Sequence, residues 1–532
     1  MESLPVGIDV GSSSSSLAVF HAGSVHTVTV PTVVSVFDDT VVVGSSALDR
    51  MTEAPAQTVT GFNRRLGTNA RINLPGELSP VSPVELTASV LRALCDGAPI
   101  ERPSSIDRAV LTVPATYTAT QRRALRTAGA VADISVDRII DDPTATAIGY
   151  CAQTDIDGRL FVYDLGGGTF DAAVIDRTDG LFDVCTTGGD ARIGSDAFDA
   201  AIVEWLEIHL EQRHDVVIGD DPVALQQLFQ TAQAAKHALA THRSTEISTT
   251  ITHRGNEYDI EQLLHRTQFE RQAQPIVERT IGACESLLEA SDIPKASIDH
   301  LLIVGQTAQL SFIPEAIERS FGQSATIVTA DAITATGAAH RGAWIRNIDH
   351  GASEPGVVID VVPHSICVHS EPRDRREWIP NNAAVPARTT TIVTTRTNRQ
   401  ESIIVPVYYD FSQKTTHRPP TIETDTSETR HEKGTHHRST DGDSRRTSAT
   451  ESAERRAPSG LLDAFRIGPL PPQPAGEPAI ELTLECSSDG VVSATATSQA
   501  TDQHTQIDAV SLFSHDESTI ERMKRDRPPV RR

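Results

Sequence analysis

The chain of 532 residues has few cysteines, no long apolar run and no excess of positive charge. Its six cysteines are widely spaced without a Cys-X-X-Cys pair, which argues against a disulfide framework or a zinc site. No apolar stretch approaches the roughly twenty residues that cross a bilayer, and Met1–Pro5 lacks the features of a signal peptide. The formal net charge of −24 argues against nucleic acid or an anionic membrane as a partner. These absences predict a cytoplasmic protein.

The composition changes along the chain and predicts several regions. Residues 1–345 alternate short β-rich runs with longer helical patterns, which is typical of an α/β domain. A flexible and then apolar linker is predicted at 346–362. Residues 363–510 are rich in Thr, Val and Ile and predict an antiparallel β domain, interrupted at 413–458 by a polar insertion expected to be disordered. Residues 511–532 are short and broken by proline, so a mobile tail is expected there.

The most informative motif is DLGGGTFD, from Asp164 to Asp171, which lies between two apolar runs. It predicts a strand–turn–strand hairpin whose turn is nearly all glycine, with Gly166, Gly167 and Gly168 in a row. Such a turn can present successive backbone N–H groups to a phosphate, and Thr169 adds a hydroxyl donor. The flanking carboxylates would repel a phosphate directly, but they can hold a metal ion through water or orient an attacking water.

A second segment repeats this logic near the N-terminus. Asp9 lies in an apolar strand pattern, and Gly11, Ser12 and Ser13 follow it. A carboxylate, a glycine and hydroxyl donors therefore occur twice. An ordinary glycine-rich hairpin would explain the glycines but not the flanking acids with the threonine, so the sequence predicts a magnesium–nucleotide site.

Three further segments follow in a fixed order: Leu111–Ala115, Gln121–Ala124 and Arg138–Ala145. Thr118, with Gln121 at the capping-box position, predicts the start of a helix that continues to Val131. Together with the two glycine motifs, these segments resemble the actin, hexokinase and heat-shock chaperone superfamily, and specifically the 70-kDa heat-shock (DnaK-type) chaperones. The resemblance is strong over residues 1–345 and moderate over the β domain.

This resemblance implies a fold, cofactors and partners. The fold would be an α/β actin-like ATPase domain with two lobes built from ribonuclease H-like repeats, followed by an all-β sandwich domain that binds peptides. The cofactors would be ATP or ADP with Mg²⁺. The partners would be polypeptide segments or one specific client protein, with co-chaperones, and neither nucleic acid nor membrane.

The resemblance also assigns roles to residues. Asp9, Asp164 and Asp171 would hold Mg²⁺ through water, and Asp142 stands where the family has a glutamate near the attacking water. Asp142 is one methylene shorter, so its reach is about 1.5 Å less. The positions expected to bind the phosphates are Gly11, Ser12, Ser13, Gly166, Gly167, Gly168 and Thr169.

The clearest departure from the family lies at its catalytic lysine. The ungapped match places Asn63 there, followed by Arg64. Arg64 could substitute with a shift of one residue, but a planar guanidinium is not equivalent to a compact ammonium. Because a positioned charge of this kind is worth on the order of 10²–10³ in rate, we expect slow or absent ATP hydrolysis.

The adenosine side also departs from the family. Of the nucleoside-contacting positions, which here carry Gln233, Lys236, His237 and Ala240, just the lysine is retained. In the partner loop, Gly305 is retained, but Gln306 replaces a second glycine and Gln309 replaces the arginine that stacks on adenine. Asp331 keeps the final loop of the pattern. We therefore expect weaker nucleotide affinity, with phosphate binding better supported than adenine specificity.

The remaining assignments concern coupling and peptide binding. Pro114, Arg122 and Asp360 match positions that relay the nucleotide state toward the linker, although Arg122 could equally be a solvated helix charge. In the β domain the apolar peptide-pocket positions are Val368, Val393, Ile403 and Val405, residues that ordinary sandwich packing would also require. Glu371 and Arg396 occupy the two positions that close over the peptide. The family's helical lid has no counterpart here, so bound peptide would exchange quickly.

These residues leave two main functions open. The first is an ATP-binding chaperone, or a nucleotide-gated protein-binding module, with weak hydrolysis. The second is a non-catalytic scaffold or regulator, which Asn63, Gln306 and Gln309 favour. A small-molecule kinase of the same superfamily is disfavoured by the apolar linker and the β domain.

Overall fold

The computed structural model describes residues 4–21, 24–37, 40–74, 80–100, 106–219, 221–329, 332–347, 356–371, 374–410, 461–470, 472–477, 479–498, 505–507, 509–511 and 515–532. The expected disordered insertion at 413–458 lies outside these residues. All six cysteines are free thiols. Among the helices so described, none combines the length and the apolar character that a membrane span requires.

The N-terminal region is an α/β structure with short 3-10 helices at Pro55–Gln57, Phe62–Arg65, Lys295–Ser297 and Gln306–Gln309. In chain order its elements are β1 (Val6–Val10), β2 (Ser14–His21), β3 (Ser24–Pro31), β4 (Val33–Phe37), β5 (Thr40–Val43), α1 (Ser45–Glu53), β6 (Thr58–Thr60), α2 (Pro83–Asp96), β7 (Arg108–Val113), α3 (Ala119–Val131), β8 (Ser135–Asp141), α4 (Asp142–Thr154), β9 (Gly158–Leu165), β10 (Phe170–Thr178), β11 (Leu181–Asp190), α5 (Ser195–His214), α6 (Pro222–Thr241), β12 (Ser244–His253), β13 (Asn256–His265), α7 (Arg266–Ala290), β14 (His300–Val304), α8 (Phe312–Phe321), β15 (Ala325–Ile327) and α9 (Ile333–Ile345).

The rest of the described chain is mostly strand. Its elements are β16 (Val357–Ile359), β17 (Ser365–Glu371), β18 (Asp374–Ile379), β19 (Ala387–Val393), β20 (Ile403–Asp410), β21 (Leu461–Ile467), β22 (Ile480–Cys486), β23 (Val492–Ser498), β24 (Thr505–Ile507), β25 (Ala509–Ser511), α10 (Glu517–Arg525) and β26 (Val530–Arg531).

Two mixed sheets in the N-terminal region share one topology. The first has the order β3-β2-β1-β7-β8 and the second the order β15-β14-β9-β10-β11-β16. In the first, β1 is antiparallel to β2 and parallel to β7. In the second, β9 is antiparallel to β10 and parallel to β14. The β1–β2 turn and the β9–β10 turn are therefore equivalent positions in two repeated units.

Helices α4 and α9 pack against each other between these sheets, and glycines permit their close approach. A Cβ on Gly337 would lie 1.7 Å from the Ala145 carbonyl oxygen, and one on Gly149 would lie 2.4 Å from the Ile333 carbonyl oxygen. Larger residues would separate the helices. Because α9 contacts β1 and β2 of the first sheet and α4 contacts β9 and β10 of the second, this helix pair fixes the two glycine turns relative to each other.

The local signals in the sequence explain the helix that follows β7. Thr118 accepts a hydrogen bond from the Gln121 backbone N–H at 3.3 Å, and the Gln121 side chain accepts from the Thr118 N–H at 2.9 Å. This capping box confirms the predicted start of α3, which ends at Val131 as expected.

The β domain consists of two antiparallel sheets, with orders β18-β17-β20-β21-β25 and β19-β22-β23-β24. Their inner faces share one apolar core, to which one sheet contributes Ile366, Val407 and Phe465 and the other Leu482 and Leu484. This packing is that of a β-sandwich. The antiparallel β structure predicted from the Thr, Val and Ile pattern is thus confirmed.

The linker and the β domain contact the N-terminal region. Strand β16 adds to the second sheet in parallel with β11, with Val357 opposite Leu181. Arg123 of α3 forms an ion pair with the buried Asp463 at 2.5 Å, and Arg126 pairs with Asp489.

The segment 511–532 differs from the expected mobile tail. Its described part, from residue 515, forms α10 and β26 and packs on the N-terminal region, where Met523 is buried in the core of the first sheet. The sequence analysis did not consider that a short helix needs no core of its own when its apolar side chains, here Met523 and Ile520, pack into the core of another domain.

Candidate nucleotide-binding site

The two glycine turns lie side by side in the wall of a cavity of about 230 Å³. A Cβ on Gly167 would lie 2.1 Å from Ser13 Oγ, and one on Gly168 would lie 2.9 Å from Ser12 Oγ. The turns are therefore in close contact, and glycine is the residue type that fits at both positions. Gly11, Ser12, Ser13, Gly166, Gly167 and Thr169 line the cavity. The structure thus brings together two motifs that lie far apart in the sequence.

The second turn is held by a helix N-terminus. The backbone N–H groups of Ser195 and Asp196, in the first turn of α5, donate to the carbonyl oxygens of Gly166 and Gly167 at 2.8 and 3.0 Å. Gly194 precedes this helix, and a Cβ there would lie 2.5 Å from the Gly167 carbonyl oxygen. The sequence analysis did not predict that Gly194, Ser195 and Asp196 support this turn. The signal that could have shown it is a predicted helix that begins directly after a glycine.

Four carboxylates line one end of the cavity: Asp171 is buried, and Asp9, Asp142 and Asp164 are partly buried. Asp9 lies on β1 and accepts a hydrogen bond from Thr112 Oγ1 at 3.2 Å. Asp164 and Asp171 are directly opposite each other on β9 and β10. Asp142 is the first residue of α4, and its Oδ1 atom is buried without a hydrogen-bond partner.

Burial raises the pKa of all four acids, and repulsion from neighbouring acids of the group adds to it for Asp164 and Asp142. Burial raises the pKa of Asp9 to about 6 and that of Asp171 to about 7. Burial, with repulsion from Asp171 and Asp9, raises the pKa of Asp164 to about 8. The pKa of Asp142 is also raised well above its ordinary value, first by burial and then by the neighbouring acids. Such a cluster needs a cation or protons to be stable at neutral pH.

The donor set fits a magnesium ion that is held through water. Oxygen ligands suit Mg²⁺, which usually keeps several of its waters. Among the described residues, no three His, Cys, Asp or Glu side chains converge closely enough to bind a metal ion directly. Together with the unpartnered Oδ1 of Asp142, this arrangement suits water-mediated contacts rather than a direct protein cage.

Thr116 is another supporting residue that sequence reasoning missed. Its backbone N–H and its hydroxyl both contact Asp171 Oδ1, at 3.2 and 3.4 Å. Thr169, expected to bind phosphate, also donates from its side chain to Asp171. Thr116 lies two residues after Pro114, a residue already expected near the site, and this position could have indicated its role.

Asn63 and Arg64 lie at different depths. Asn63 is buried in the cavity wall, where its Nδ2 donates to the Val10 carbonyl at 3.2 Å and its Oδ1 has no hydrogen-bond partner. The Arg64 guanidinium lies beside Gly168 and forms an ion pair with Asp196 at 2.8 Å. This side chain is 41 % exposed. An amide thus lies in the wall, while the nearby cation is partly solvated and engaged by a carboxylate.

The expected adenosine contact at Lys236 is placed differently. Its ammonium is buried and contacts Asp199 at 2.8 Å and Ser195 Oγ at 2.5 Å. Ser195 lines the cavity, so Lys236 lies behind it and joins α6 to α5. Sequence reasoning overlooked Asp199, four residues after Ser195 on the same helix face, which provides the ion-pair partner.

The loop after β14 forms the opposite wall. Gly305 has a φ of +102°, and a Cβ there would lie 2.1 Å from the Leu165 carbonyl oxygen, so glycine is required for the strand to pass close to β9. Gln306 and Gln309 are both exposed and line the cavity. Asp331, the last residue expected in this group, lies outside the described residues.

The expected relay residues lie between the cavity and the linker. Pro114 lines the cavity. Arg122 is fully buried and pairs with Asp141 at 2.5 Å, so it is not a solvated helix charge. Burial and the neighbouring Asp141 raise the pKa of Asp360 in the linker to about 7, while Arg122 acts in the opposite direction. Arg122, Asp141 and Asp360 thus form one group of interacting charges, and Pro114 lies apart from it in the cavity wall.

The expected peptide-binding positions are divided in the structure. Val368 and Val405 are buried in the sandwich core, and Val393 and Ile403 are partly buried against it. Arg396 lies in the exposed loop between β19 and β20. The side chain of Glu371 is outside the described structure.

The fold and the site define a nucleotide-binding α/β domain joined by a strand-forming linker to a β-sandwich. The model of the Hsp70 protein family matches residues 5–423 and 429–530. The chaperone protein DnaK of Mycoplasmoides gallisepticum is 29 % identical over 539 aligned residues, which cover 98 % of this chain and 83 % of that protein. The chain belongs to the Hsp70 family, and the resemblance deduced from the sequence is confirmed. Membership implies an actin-like ATPase domain followed by a β-sandwich.

Proposed function

We propose that this protein is an ATP-binding Hsp70-type chaperone of the cytoplasm whose nucleotide cycle is limited by slow hydrolysis. The two repeated sheets would be the ribonuclease H-like units of two lobes. The observation that carries the proposal is the pair of contacting glycine turns, with four acids lining the same cavity. The turns and the acids together suit a triphosphate with its metal ion.

Each residue would have a defined part. The backbone of Gly11–Ser13 and Gly166–Thr169 would bind the phosphates. Asp9, Asp164 and Asp171 would hold the hydrated Mg²⁺, which when bound neutralises charge on the phosphates. The unpartnered Oδ1 of Asp142 would accept a hydrogen bond from the attacking water and orient it.

Slow hydrolysis follows from Asn63. Its neutral amide occupies the cavity wall where the family has an ammonium, and the guanidinium of Arg64 is engaged by Asp196 at 2.8 Å. Negative charge that develops on the phosphates during hydrolysis would thus be stabilised by the partly solvated guanidinium of Arg64, at the edge of the cavity. Electrostatic stabilisation is weaker when the charge is solvated and not positioned in advance.

The nucleoside end supports weak base recognition. Lys236 is engaged by Asp199, and glutamines line the opposite wall. A glutamine cannot provide the cation–π contact that an arginine makes with an aromatic ring. We expect most of the nucleotide affinity to come from the phosphates.

Calorimetry of the full chain with Mg-ATP, Mg-ADP and a panel of unfolded peptides tests this function. A chaperone must change its peptide affinity when nucleotide binds, and its nucleotide affinity must change by the same factor when peptide binds. Nucleotide binding without this reciprocal change would contradict the chaperone proposal.

The second candidate is a scaffold whose N-terminal domain has a structural role. It is favoured by the unpartnered amide of Asn63 in the wall and by the glutamines of the nucleoside end. In that case neither Mg-ATP nor Mg-ADP would bind in the calorimeter, and one partner protein would bind equally well with or without nucleotide.

A further inference from the structure

A surface of the N-terminal region binds an extended segment of the same chain. Strand β5 lies in a small sheet of order β26-β5-β4-β6, and β26 pairs with it in parallel, with Val530 opposite Val41. The backbone N–H of Val41 donates to the carbonyl oxygen of Pro529 at 3.0 Å. Without β26, the β5 edge would be unpaired and could recruit another extended peptide.

The second wall of this groove is helix α2. Its Arg92 donates from Nη1 to the Pro528 carbonyl oxygen at 3.1 Å. Pro528 and Pro529 have no N–H to satisfy and favour an extended chain, while both of their carbonyls accept hydrogen bonds here. The groove therefore suits a segment with consecutive prolines ahead of a short strand.

Two arginines of the segment bind at the C-terminal ends of helices. Arg527 donates to the carbonyl of Val131, the last residue of α3, at 2.9 Å and pairs with Asp133 at 2.5 Å. Arg532 donates to the carbonyl of Gly97, the C-cap of α2, at 3.2 Å. The last carbonyls of a helix lack partners within the helix, and its C-terminus attracts cations. These two contacts explain why basic residues flank the prolines.

Apolar contacts complete the binding surface. Met523 of α10 is 4 % exposed and belongs to the core of the first sheet, and Ile520 and Val530 pack against the same core. The packing is not complete, because a cavity of about 180 Å³ remains between the segment and the domain, lined by Val41, Leu86, Pro528 and others. Side chains that line a cavity of that size lose contacts there, which weakens the attachment of the segment.

This segment follows the last strand of the β domain, so its attachment also holds the end of that domain. The β domain is held at its beginning by β16, which pairs with β11. At its end, Ser511 Oγ of β25 accepts a hydrogen bond from Arg123 of α3 at 2.8 Å, and the described chain resumes at His515 before α10. Both ends of the β domain are thus attached to the N-terminal region.

We propose that residues 515–532 are a releasable strap, which binds in cis to the groove formed by β5 and the C-terminal ends of α2 and α3 and holds the β domain against the N-terminal region. The occupant is this chain's own segment, since its prolines, arginines and apolar anchors each meet a matching group. The proposal does not depend on nucleotide binding.

Hydrogen exchange of the full chain, followed by mass spectrometry, tests the strap. Arg527→Glu reverses a charge that meets Asp133, whereas Arg525→Glu makes the same change at a side chain that is 74 % exposed and pairs with its neighbour Asp526. We expect about tenfold faster exchange in residues 40–43 and in the linker strand 357–359 for Arg527→Glu. The control should exchange like the unmodified chain.

A second variant distinguishes release of the strap from misfolding of the first variant. Asp133→Asn removes the partner of Arg527 from the other side, and asparagine tolerates the φ of +62° at this position. It should accelerate exchange in the same two segments. Equal exchange in all variants would overturn the proposal, and so would release of 40–43 without any change at 357–359. Protection of 40–43 that rises with protein concentration would show a segment from a second copy and would overturn binding in cis.

Discussion

The two ends of the proposed nucleotide cavity, the proposed phosphate end and the proposed nucleoside end, are built in different ways. The phosphate end consists of backbone turns that contact each other, supported by a helix N-terminus and by acids on strands β1, β9 and β10. The nucleoside end consists of side chains from α6 and from the loop after β14, and its one retained lysine is engaged by Asp199. A site made from backbone tolerates little change in sequence without loss of shape. A site made from side chains can lose its ligand contacts while the fold remains intact.

The largest effect is expected at the contact between the turns. Gly167→Ala would place a Cβ 3.1 Å from the Ser13 backbone nitrogen and closer still to its side chain. We expect a loss of about 100-fold in Mg-ATP affinity, which corresponds to about 3 kcal/mol, measured by calorimetry. The control is Gly282→Ala in α7, where a Cβ meets nothing within 4 Å. Retention of full affinity by Gly167→Ala would show that phosphate does not bind between these turns.

The acids predict a proton linkage at the same end. The pKa values of Asp9, Asp171 and Asp164 are raised to about 6, 7 and 8, and a bound cation would favour their ionised forms. Binding should therefore release protons, and Mg-ATP affinity should rise from pH 6 to pH 8, by up to about tenfold per pH unit for each proton released. Calorimetry in buffers of different ionisation enthalpy measures this release. An affinity independent of pH would contradict the assignment.

The same shifts predict the stability of the metal-free protein. Because the folded state holds protons on these acids above the ordinary pKa of an aspartate, it binds more protons than the unfolded state across this window. Its free energy of unfolding should then fall as the pH rises from about 4 to about 8. Denaturant titrations with EDTA and with Mg²⁺ would show whether the metal ion removes this decline.

A moderate effect is expected at Arg64, the cation beside Gly168. Arg64→Ala should weaken binding of Mg-ATP by about tenfold and binding of Mg-ADP less. We expect this difference because the partly exposed guanidinium would act mainly on the terminal phosphate, which ADP lacks. Arg65→Ala, at the exposed neighbouring position, is the matched control. Equal losses for the two nucleotides would place the Arg64 contribution away from the terminal phosphate.

The smallest effect is expected at the nucleoside end. Gln309→Arg introduces a cation into the wall of the cavity and should strengthen ATP binding by about two- to fivefold, the range of an exposed cation–π contact. Gln309→Met, which has a similar length without charge, should leave the affinity unchanged. A gain of equal size in both variants would indicate simple packing rather than recognition of the base.

The same contrast explains how much of the structure the sequence predicted. The turn Gly166–Thr169 and the start of α3 at Thr118 depend on neighbouring residues, and both were predicted correctly from local patterns. The partner of Lys236 and the support of Asp171 by Thr116 depend on which elements meet in space, and a single sequence contains no direct record of that. The docking of Met523 was missed for the same reason, since its binding surface belongs to a different domain.

Single-turnover hydrolysis of bound ATP by the full chain, compared with Asn63→Lys, tests the central claim most directly. Asn69→Lys, the same substitution at an exposed position nearby, is the control. We expect slow hydrolysis in the unmodified chain and in the control, and a rate about 10²–10³ higher in Asn63→Lys, since an ammonium would then stand in the cavity wall. Rapid hydrolysis by the unmodified chain, with no gain from the lysine, would contradict the account.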